Sequence, residues 1–375
     1  VCKYHRDVIV VVNTGGLVDL SFMDTFKNIC GLLQIVQPGM EGGHAFADVV
    51  SGKVNPSGKL TDSWAYQYED YPNSAKYSHN NGNVEIETYD EGIYVGYRYF
   101  DSFGVSVRYS FGYGQSYTTF SIEKAKIRRT ENKELEVSAT VENTGNVKGR
   151  EVVQVYASLP GGRLEKEAHR LVAYGKSKEL RPGEREELSM KIPVSRLASY
   201  DEEFPGWVLE AGMYGMWIGN SLSDIRLFGG VQLEQEVSLA RTEHICPLKQ
   251  ALKELSQTKE TCQRREADCR QALAESRLPV VILKKTDCQT ETMIYKRNSE
   301  LVEKEAKKFV DALSPENLID LAAGDPGKAQ GGNLGAAGIS VPGSAGETHR
   351  CAAEKGLASI VLADGPAGLR LMKYY

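Results

Sequence analysis

Val8 to Val12 is an unbroken run of β-branched residues, the pattern of a strand covered on both faces. The turn Asn13-Thr14-Gly15-Gly16 follows it and leads to a short helical stretch, Phe22 to Ile29. Leu32 to Val36 repeats the strand pattern, Gln37-Pro38-Gly39 closes it, and Gly43 to Val50 reads as a helix. Two strands covered on both faces do not make an independent sheet. The rest of this α/β layer is expected upstream of Val1 or from another molecule, and the start on valine fits an amino end inside a longer polypeptide.

Residues 53 to 118 are rich in turns and aromatics, and "YDEGIYVGYRYFD" alone holds four tyrosines and a phenylalanine. This stretch is expected to be an extended arm lying across domain surfaces. From about Thr119 to Leu233 the pattern becomes short and alternating. In "ELEVSATVE", Leu135, Val137, Ala139 and Val141 face one way and Glu134, Glu136, Ser138 and Thr140 the other, as in a sheet with one dry face. Similar stretches recur at Glu151 to Ser158, Leu171 to Lys176, Glu186 to Ile192, Trp207 to Glu210, Tyr214 to Gly219 and Asp224 to Phe228, separated by turn signals such as Arg181-Pro182-Gly183-Glu184. Some seven strands in this space predict a β-sandwich of immunoglobulin or fibronectin type III character.

After Pro247, a plausible first helical position, Leu248, Leu252, Leu255, Cys262, Cys269 and Leu273 form a seam of 3-4 spacing broken by Lys259 and Glu266. The seam predicts a helix of roughly 30 residues, ~45 Å long, packing weakly as a spacer or pairing loosely in a dimer. Leu301 to Leu313 and Ser314 to Ala323 read as two more helices, the second with Ser314 as cap and Pro315 at its first position. A glycine-rich stretch, Gly324 to Gly346, then leads to a buried strand, Ser359 to Ala363, and to the turn Asp364-Gly365-Pro366.

Composition narrows the function classes. The chain has 375 residues, enough for two or three domains, and 41% of them are hydrophobic, ample for packed cores. A net charge of -5 with 45 scattered basic residues gives no footprint for a phosphate backbone, so nucleic acid is not an expected partner. No apolar run approaches the ~20 residues that span a bilayer, and the first residues lack the basic start and small-residue cleavage site of a signal peptide; no membrane partner is expected. Seven cysteines, an odd number with no CxxC pair, suit reduced thiols and a cytoplasmic setting.

Asp364 is the foremost candidate site residue. At the carboxyl end of a barrel strand an aspartate can accept hydrogen bonds from neighbouring sugar hydroxyls, or it can simply cap its own turn. Arg370 could contact the same substrate or neutralise Asp364. Glu91 sits among rings that could stack on a sugar and would then be a general acid, but tyrosines packing an arm, with Glu91 pairing to Arg98 or capping its glycine turn, account for it as well and are favoured. His244, Cys246, Cys262 and Cys269 could suggest zinc, but Cys262 and Cys269 lie two helical turns apart, so structural thiols are expected and no metal site is assigned. Asn13-Thr14-Gly15-Gly16 lacks the glycine spacing of a nucleotide loop.

"VIVVVNTGGLVDLSFM", "PGMEGGHAFADVVSGKVNPSGKLTDSWA", "YDEGIYVGYRYFD" and "FGYGQSYTTF" resemble, in that order, the α/β sandwich domain and exit arm of glycoside hydrolase family 3. "VENTGNVKGREVVQVYAS" and "LVAYGKSKELRPGE" are similar to that family's fibronectin type III-like domain, and "LSPENLIDLAAG" with "IVLADGPAGLRL" resembles the opening of its barrel. The resemblance implies a multidomain fold: the C-terminal part of the α/β sandwich domain at 1–65, an extended aromatic arm at 66–118, the fibronectin type III-like β-sandwich at 119–233, a helical and extended linker at 234–300, and the first segment of the (β/α) barrel at 301–375. This order is that of the family's domain-permuted β-glucosidases, and it makes the chain the middle of a longer enzyme, cut at both ends.

The resemblance also implies roles. These are retaining enzymes with an aspartate nucleophile and a glutamate acid/base, two carboxyls ~5 to 5.5 Å apart. The nucleophile's Ser-Asp-Trp motif is absent, "TDSW" at Thr61 to Trp64 belonging to another block, and the Glu-Gly segment of the acid/base belongs upstream of Val1. No catalytic residue is therefore assigned here. Asp364 in "DGPAGLR" matches the aspartate that binds the non-reducing glucosyl unit, and Arg370 lies near that sugar. The expected function is a part of a β-glucosidase that removes terminal β-linked glucose from oligosaccharides or glucosides, inactive alone, with no cofactor, a small sugar as partner and room for a homo-oligomer. The rival expectation is a non-catalytic module in which the β-sandwich and long helix bind carbohydrate or protein.

Overall fold

A computed structural model describes residues 1–131, 134–242, 248, 251–288, 300–325, 341 and 344–363. The chain divides into two compact units, one of Val1–Gly16, Asn28–Val50 and Tyr295–Tyr375, the other of Leu17–Lys27 and Ser51–Ile294. No helix among the described residues is long and apolar enough to cross a membrane.

In the first unit the Val8–Val12 strand pairs in parallel with Ile29–Gln34, Val12 opposite Gln34, and the Gly42–Val50 helix follows. The expected helix from Phe22 through Ile29 stops at Thr25, within the second unit, because Phe26 is already extended. Asn28 belongs instead to the strand entry: its side-chain amide donates to the carbonyls of Cys2 (2.8 Å) and His5 (2.7 Å). That pins the start of the second strand three residues earlier than the apolar run suggests. One face of the first strand is bare, with Ile9 46% and Val11 37% exposed.

The late part of this unit holds the helices Glu300–Asp311 and Pro315–Ala323. Ser314 caps the second as its sequence predicts, accepting from the Asn317 amide at 3.2 Å. Arg350 grips Asp325 through Nε (3.0 Å) and Nη2 (3.2 Å). The expected buried strand at Ser359 to Ala363 is only Val361–Leu362, paired antiparallel with Gly346–Glu347. Ile360 and Leu362 are each 62% exposed, so the strand is not a buried one. A β-rich run is buried only where a layer covers it, and the partner found here is a single two-residue strand.

The second unit is built on a β-sandwich. One sheet runs in the order Val280–Leu283, Ile225–Leu233, Gly212–Gly219, Val152–Ser158, Arg170–Lys176, and the facing one in the order Phe120–Arg129, Leu135–Asn143, Arg185–Ile192. The alternation in "ELEVSATVE" is obeyed in full: Leu135, Val137, Ala139 and Val141 are at most 1% exposed and pack against Val153, Val155, Met216 and Ile218. A third, small sheet joins Ser199–Asp201, Gly206–Leu209 and Val237–Arg241.

Two elements of this unit depart from expectation. The aromatic arm is not extended throughout: Tyr97–Phe103 is a helix entered from Gly96 and closed by Gly104 in the left-handed conformation, and its rings pack edge to face, Tyr71 on Phe100 at 5.4 Å and Tyr94 on Phe103 at 4.9 Å. The long helix is shorter and better anchored than its seam implies. It spans Lys259–Glu275, begins where Thr258 accepts from the Thr261 amide, and buries Cys269 and Leu273 against Met213. Residues 251–257 lie outside the helix, where the Leu255 amide donates to the Asp90 carbonyl (2.9 Å) and the Gln257 amide to Glu165 (2.8 Å). Those bonds compete with the i-to-i-4 ladder and win, and the chain beyond the helix returns as Val280–Leu283, a parallel edge strand of the sandwich.

Candidate functional site

A groove of about 1110 Å³ lies within the second unit between the arm and the sandwich. Its floor is charged. Glu167, 2% exposed, precedes the Arg170–Lys176 strand, and Arg170 binds it at two points, Nε to Oε1 at 2.7 Å and Nη2 to Oε2 at 2.9 Å. Arg98, delivered by the arm helix, approaches the same carboxylate at 3.4 Å. Deeper, the Lys166 ammonium and the Glu210 carboxylate pair while both are almost fully buried, and Glu210 also accepts the amides of Arg163 (2.8 Å) and Leu164 (3.2 Å). At the rim Arg163 pairs with Asp201, beside Tyr200 and Trp207, whose rings meet edge to face at 5.5 Å.

The electrostatics decide what such carboxylates can do. Burial acts to raise the Glu167 carboxyl, but the Arg170 hydrogen bonds and charge overcome it and hold the group below the usual glutamate range. The Arg163 hydrogen bond likewise lowers Asp201, against its burial. A glycosidase acid must keep its proton near neutral pH. Glu167 and Asp201 are pushed the opposite way and act as fixed anions that orient guanidinium groups. The groove has the donors, acceptors and exposed ring edge of a polar binding surface, since Trp207 is 38% exposed, and its two lowered carboxyls do not suit a proton-donating role.

Asp364 and Arg370 lie outside the described residues, as do His244 and Cys246. Cys262 and Cys269 have separate surroundings, Gln257 at 3.7 Å from one and Ser158 at 3.9 Å from the other, and burial pushes both thiols up; they are helix-packing thiols. Glu91 does not pair with Arg98, which turns to Glu167. Its carbonyl accepts the Tyr94 amide (3.0 Å) over the Gly92 turn, and Tyr94 is fully buried with its hydroxyl donating to Glu165. Tyr94, Tyr97 and Tyr99 pack against other rings, as favoured from the sequence, while Tyr89 is 77% exposed. The Glu167–Arg170 pair escaped the sequence reading, and its signal was the dense charge of "RLEKEAHR" directly before an apolar strand.

Comparison with known proteins agrees with this architecture. Residues 1–97 match the glycosyl hydrolase family 3 C-terminal domain, and residues 151–222 match the fibronectin type III-like domain. The two matches make this a multidomain chain, with the groove in the part that carries the fibronectin type III-like domain. These domains are of glycosyl hydrolase family 3 type, and the relatives the chain matches include β-glucosidases and, from Bifidobacterium longum, an exo-α-(1→6)-L-arabinopyranosidase. Beta-glucosidase A of Butyrivibrio fibrisolvens is 39% identical over 241 residues, 59% of this chain and 29% of that protein. The structure of β-glucosidase 3B from Thermotoga neapolitana in complex with α-D-glucose aligns with TM-score 0.56 and 39% identity over 61% of this chain and 32% of that one. The β-glucosidase from Paenibacillus barengoltzii aligns with TM-score 0.69 and 31% identity over 99% of this chain and 42% of that one. The chain thus spans less than half the length of each of these relatives.

Proposed function

We propose that this chain is the central part of a domain-permuted, retaining β-glucosidase that releases terminal non-reducing β-D-glucosyl residues. The observation that carries the reading is the Paenibacillus β-glucosidase alignment, which runs through 99% of this chain and so supports a segment of the barrel domain following the sandwich in one polypeptide. On this reading 1–65 completes the α/β sandwich domain, 66–118 is its arm, 119–233 the accessory sandwich, 234–300 the link and 301–375 the opening of the barrel. The nucleophile and the acid/base are contributed by other parts of the enzyme, and Asp364 and Arg370 hold the sugar. Carboxylate-to-hydroxyl bonds fix the glucosyl ring so that the anomeric carbon meets the nucleophile, the positioning that makes a slow displacement effectively unimolecular.

The same reading puts the protein in the cytoplasm, supported by thiols that are not paired with one another, such as Cys2, Cys30, Cys262 and Cys269. The chain alone should not hydrolyse a chromogenic β-glucoside, whereas the complete enzyme should release glucose. In that enzyme Asp364→Asn should lower kcat/KM about 10²- to 10³-fold, the cost of leaving charge-assisted hydrogen bonds to a sugar unmade. Turnover by the chain alone, or an Asp364→Asn enzyme with unchanged kcat/KM, would overturn the proposal. The groove favours a second reading, in which the sandwich itself binds carbohydrate beside Trp207. Micromolar binding of cellobiose by this chain, abolished by Trp207→Ala, would establish it.

A further inference from the structure

Helix Pro315–Ala323 and the short helix Cys351–Glu354, both in the first unit, bring three different donor types to one point. Asp320, on the first helix, His349, two residues before the second begins to turn, and Cys351, its first residue, place one ligand atom each within 4.8 Å of one another. We propose that Asp320, His349 and Cys351 form a binding site for zinc or a similar borderline divalent cation. The proposal concerns this cluster alone and does not depend on the glycosidase reading.

The donor set selects the metal. A thiolate, an imidazole and a carboxylate suit zinc, whereas calcium and magnesium require oxygen shells. Zinc bonds of about 2.0 to 2.3 Å in tetrahedral geometry put ligand atoms roughly 3.3 to 3.7 Å apart. The His349 Nδ1 to Asp320 Oδ2 separation is 3.9 Å and the three ligand atoms all lie within 4.8 Å of one another, so closing on an ion takes side-chain shifts of up to about 1 Å. The ring is held in place: Nδ1 accepts the Cys351 amide at 3.2 Å, the long end of the range, a weak bond that an ion on Nδ1 would displace. The Cys351 thiol has the Asn317 carbonyl at 3.9 Å as its contact, a weak bond for a side chain only 6% exposed in a 375-residue chain.

Burial is graded to suit a partly open site. Cys351 is enclosed, the His349 side chain is 17% exposed and that of Asp320 44%, so water can complete a fourth position on the aspartate side. An ion held there ties the Pro315–Ala323 helix to the start of the Cys351–Glu354 helix, 31 positions apart when counted from Asp320 to Cys351. Closing such a loop is where a metal clip adds most order. No sequence motif announces the site, because only His349 and Cys351 are close in the chain.

The test uses the full chain stripped of metal by a chelator and then titrated with Zn²⁺ by calorimetry and with Co²⁺ by absorbance. One equivalent should bind, with a sulfur-to-cobalt charge-transfer band. Cys351→Ser should remove the band, His349→Gln and Asp320→Asn should each weaken binding about tenfold or more, and Cys30→Ser and Cys262→Ser should change neither. Asp320→Asn, at a partly exposed position, guards against misfolding of the other two. No saturable uptake up to about 100 µM Zn²⁺, or a cobalt spectrum that survives Cys351→Ser, overturns the proposal.

Discussion

Glu167 and Arg170 are three residues apart and joined by two hydrogen bonds of 2.7 and 2.9 Å in a place where the glutamate is 2% exposed. Arg170 also donates to the Ala198 carbonyl, so one guanidinium ties the start of a sandwich strand to the loop before the third sheet. Removing one partner of a buried pair leaves an uncompensated charge, at about 3 to 5 kcal/mol. Here Arg98 stands 3.4 Å from the same carboxylate and can take over part of Arg170's role. Arg170→Met should therefore fall near the lower end, about 3 kcal/mol, and Arg98→Met with Arg170→Met should cost more than the two singles added. Urea unfolding of the four proteins in this cycle gives the coupling directly.

The same pair predicts an acid limb of stability. Glu167 titrates lower in the folded chain than its ordinary value, so on acidification the unfolded chain takes up this proton first. The contribution is complete above the unfolded glutamate value of about 4.3 and is lost as pH falls through the folded value. Wild-type stability should drop below about pH 4.5 with a slope that Glu167→Gln lacks. Equal slopes in the two proteins would show that the carboxyl is not held down by its partners.

What the chain's pattern disclosed, and what it hid, follows from the range of the forces involved. "ELEVSATVE" was legible because a regular pleat turns alternation into burial without help from elsewhere. "FSIEKAKIRR" hid a strand, Phe120–Arg129, because Ile122 and Ile127 are five apart and cannot share a face in a regular strand. A bulge between Glu123 and Lys126, with Lys124 at φ 51 in the left-handed region, brings both into the core. The early half of the long helix was misjudged because bonds to Asp90 and Glu165, some 92 residues or more away for the latter, hold residues 251–257 outside the helix. Of the candidate sites, the paired carboxylates of the groove and the Asp320, His349 and Cys351 cluster exist only through the tertiary fold.

The arm helix ends by a local rule that can be tested alone. Gly104 sits at φ 64 and ψ 29 with its amide donating to the Phe100 carbonyl, and a methyl group added there would meet nothing within 4 Å. Any cost of Gly104→Ala is then conformational and not steric. It should be about 1 kcal/mol, and Gly104→Asn should recover part of it, since asparagine tolerates the left-handed region. Thermal melts of the two variants decide this, and a neutral alanine would mean that the helix terminus rearranges freely.

Leu273 tests whether the Lys259–Glu275 helix is a spacer or part of the sandwich. It is 3% exposed and shares a small core with Met213 and Cys269, while Gln271, two residues earlier, faces solvent and donates to Glu275 at 2.7 Å. A spacer would tolerate both truncations alike. If the helix is a layer of the unit, Leu273→Ala leaves a cavity against the sheet and costs about 2 to 5 kcal/mol, whereas Gln271→Ala stays within about 0.5 kcal/mol. The Val280–Leu283 strand reaches its place beside Ile225–Leu233 only by way of this helix. Loosening the helix should therefore also speed amide exchange in that edge strand before the rest of the sandwich, and exchange rates unchanged at Val280–Leu283 in Leu273→Ala would separate the two.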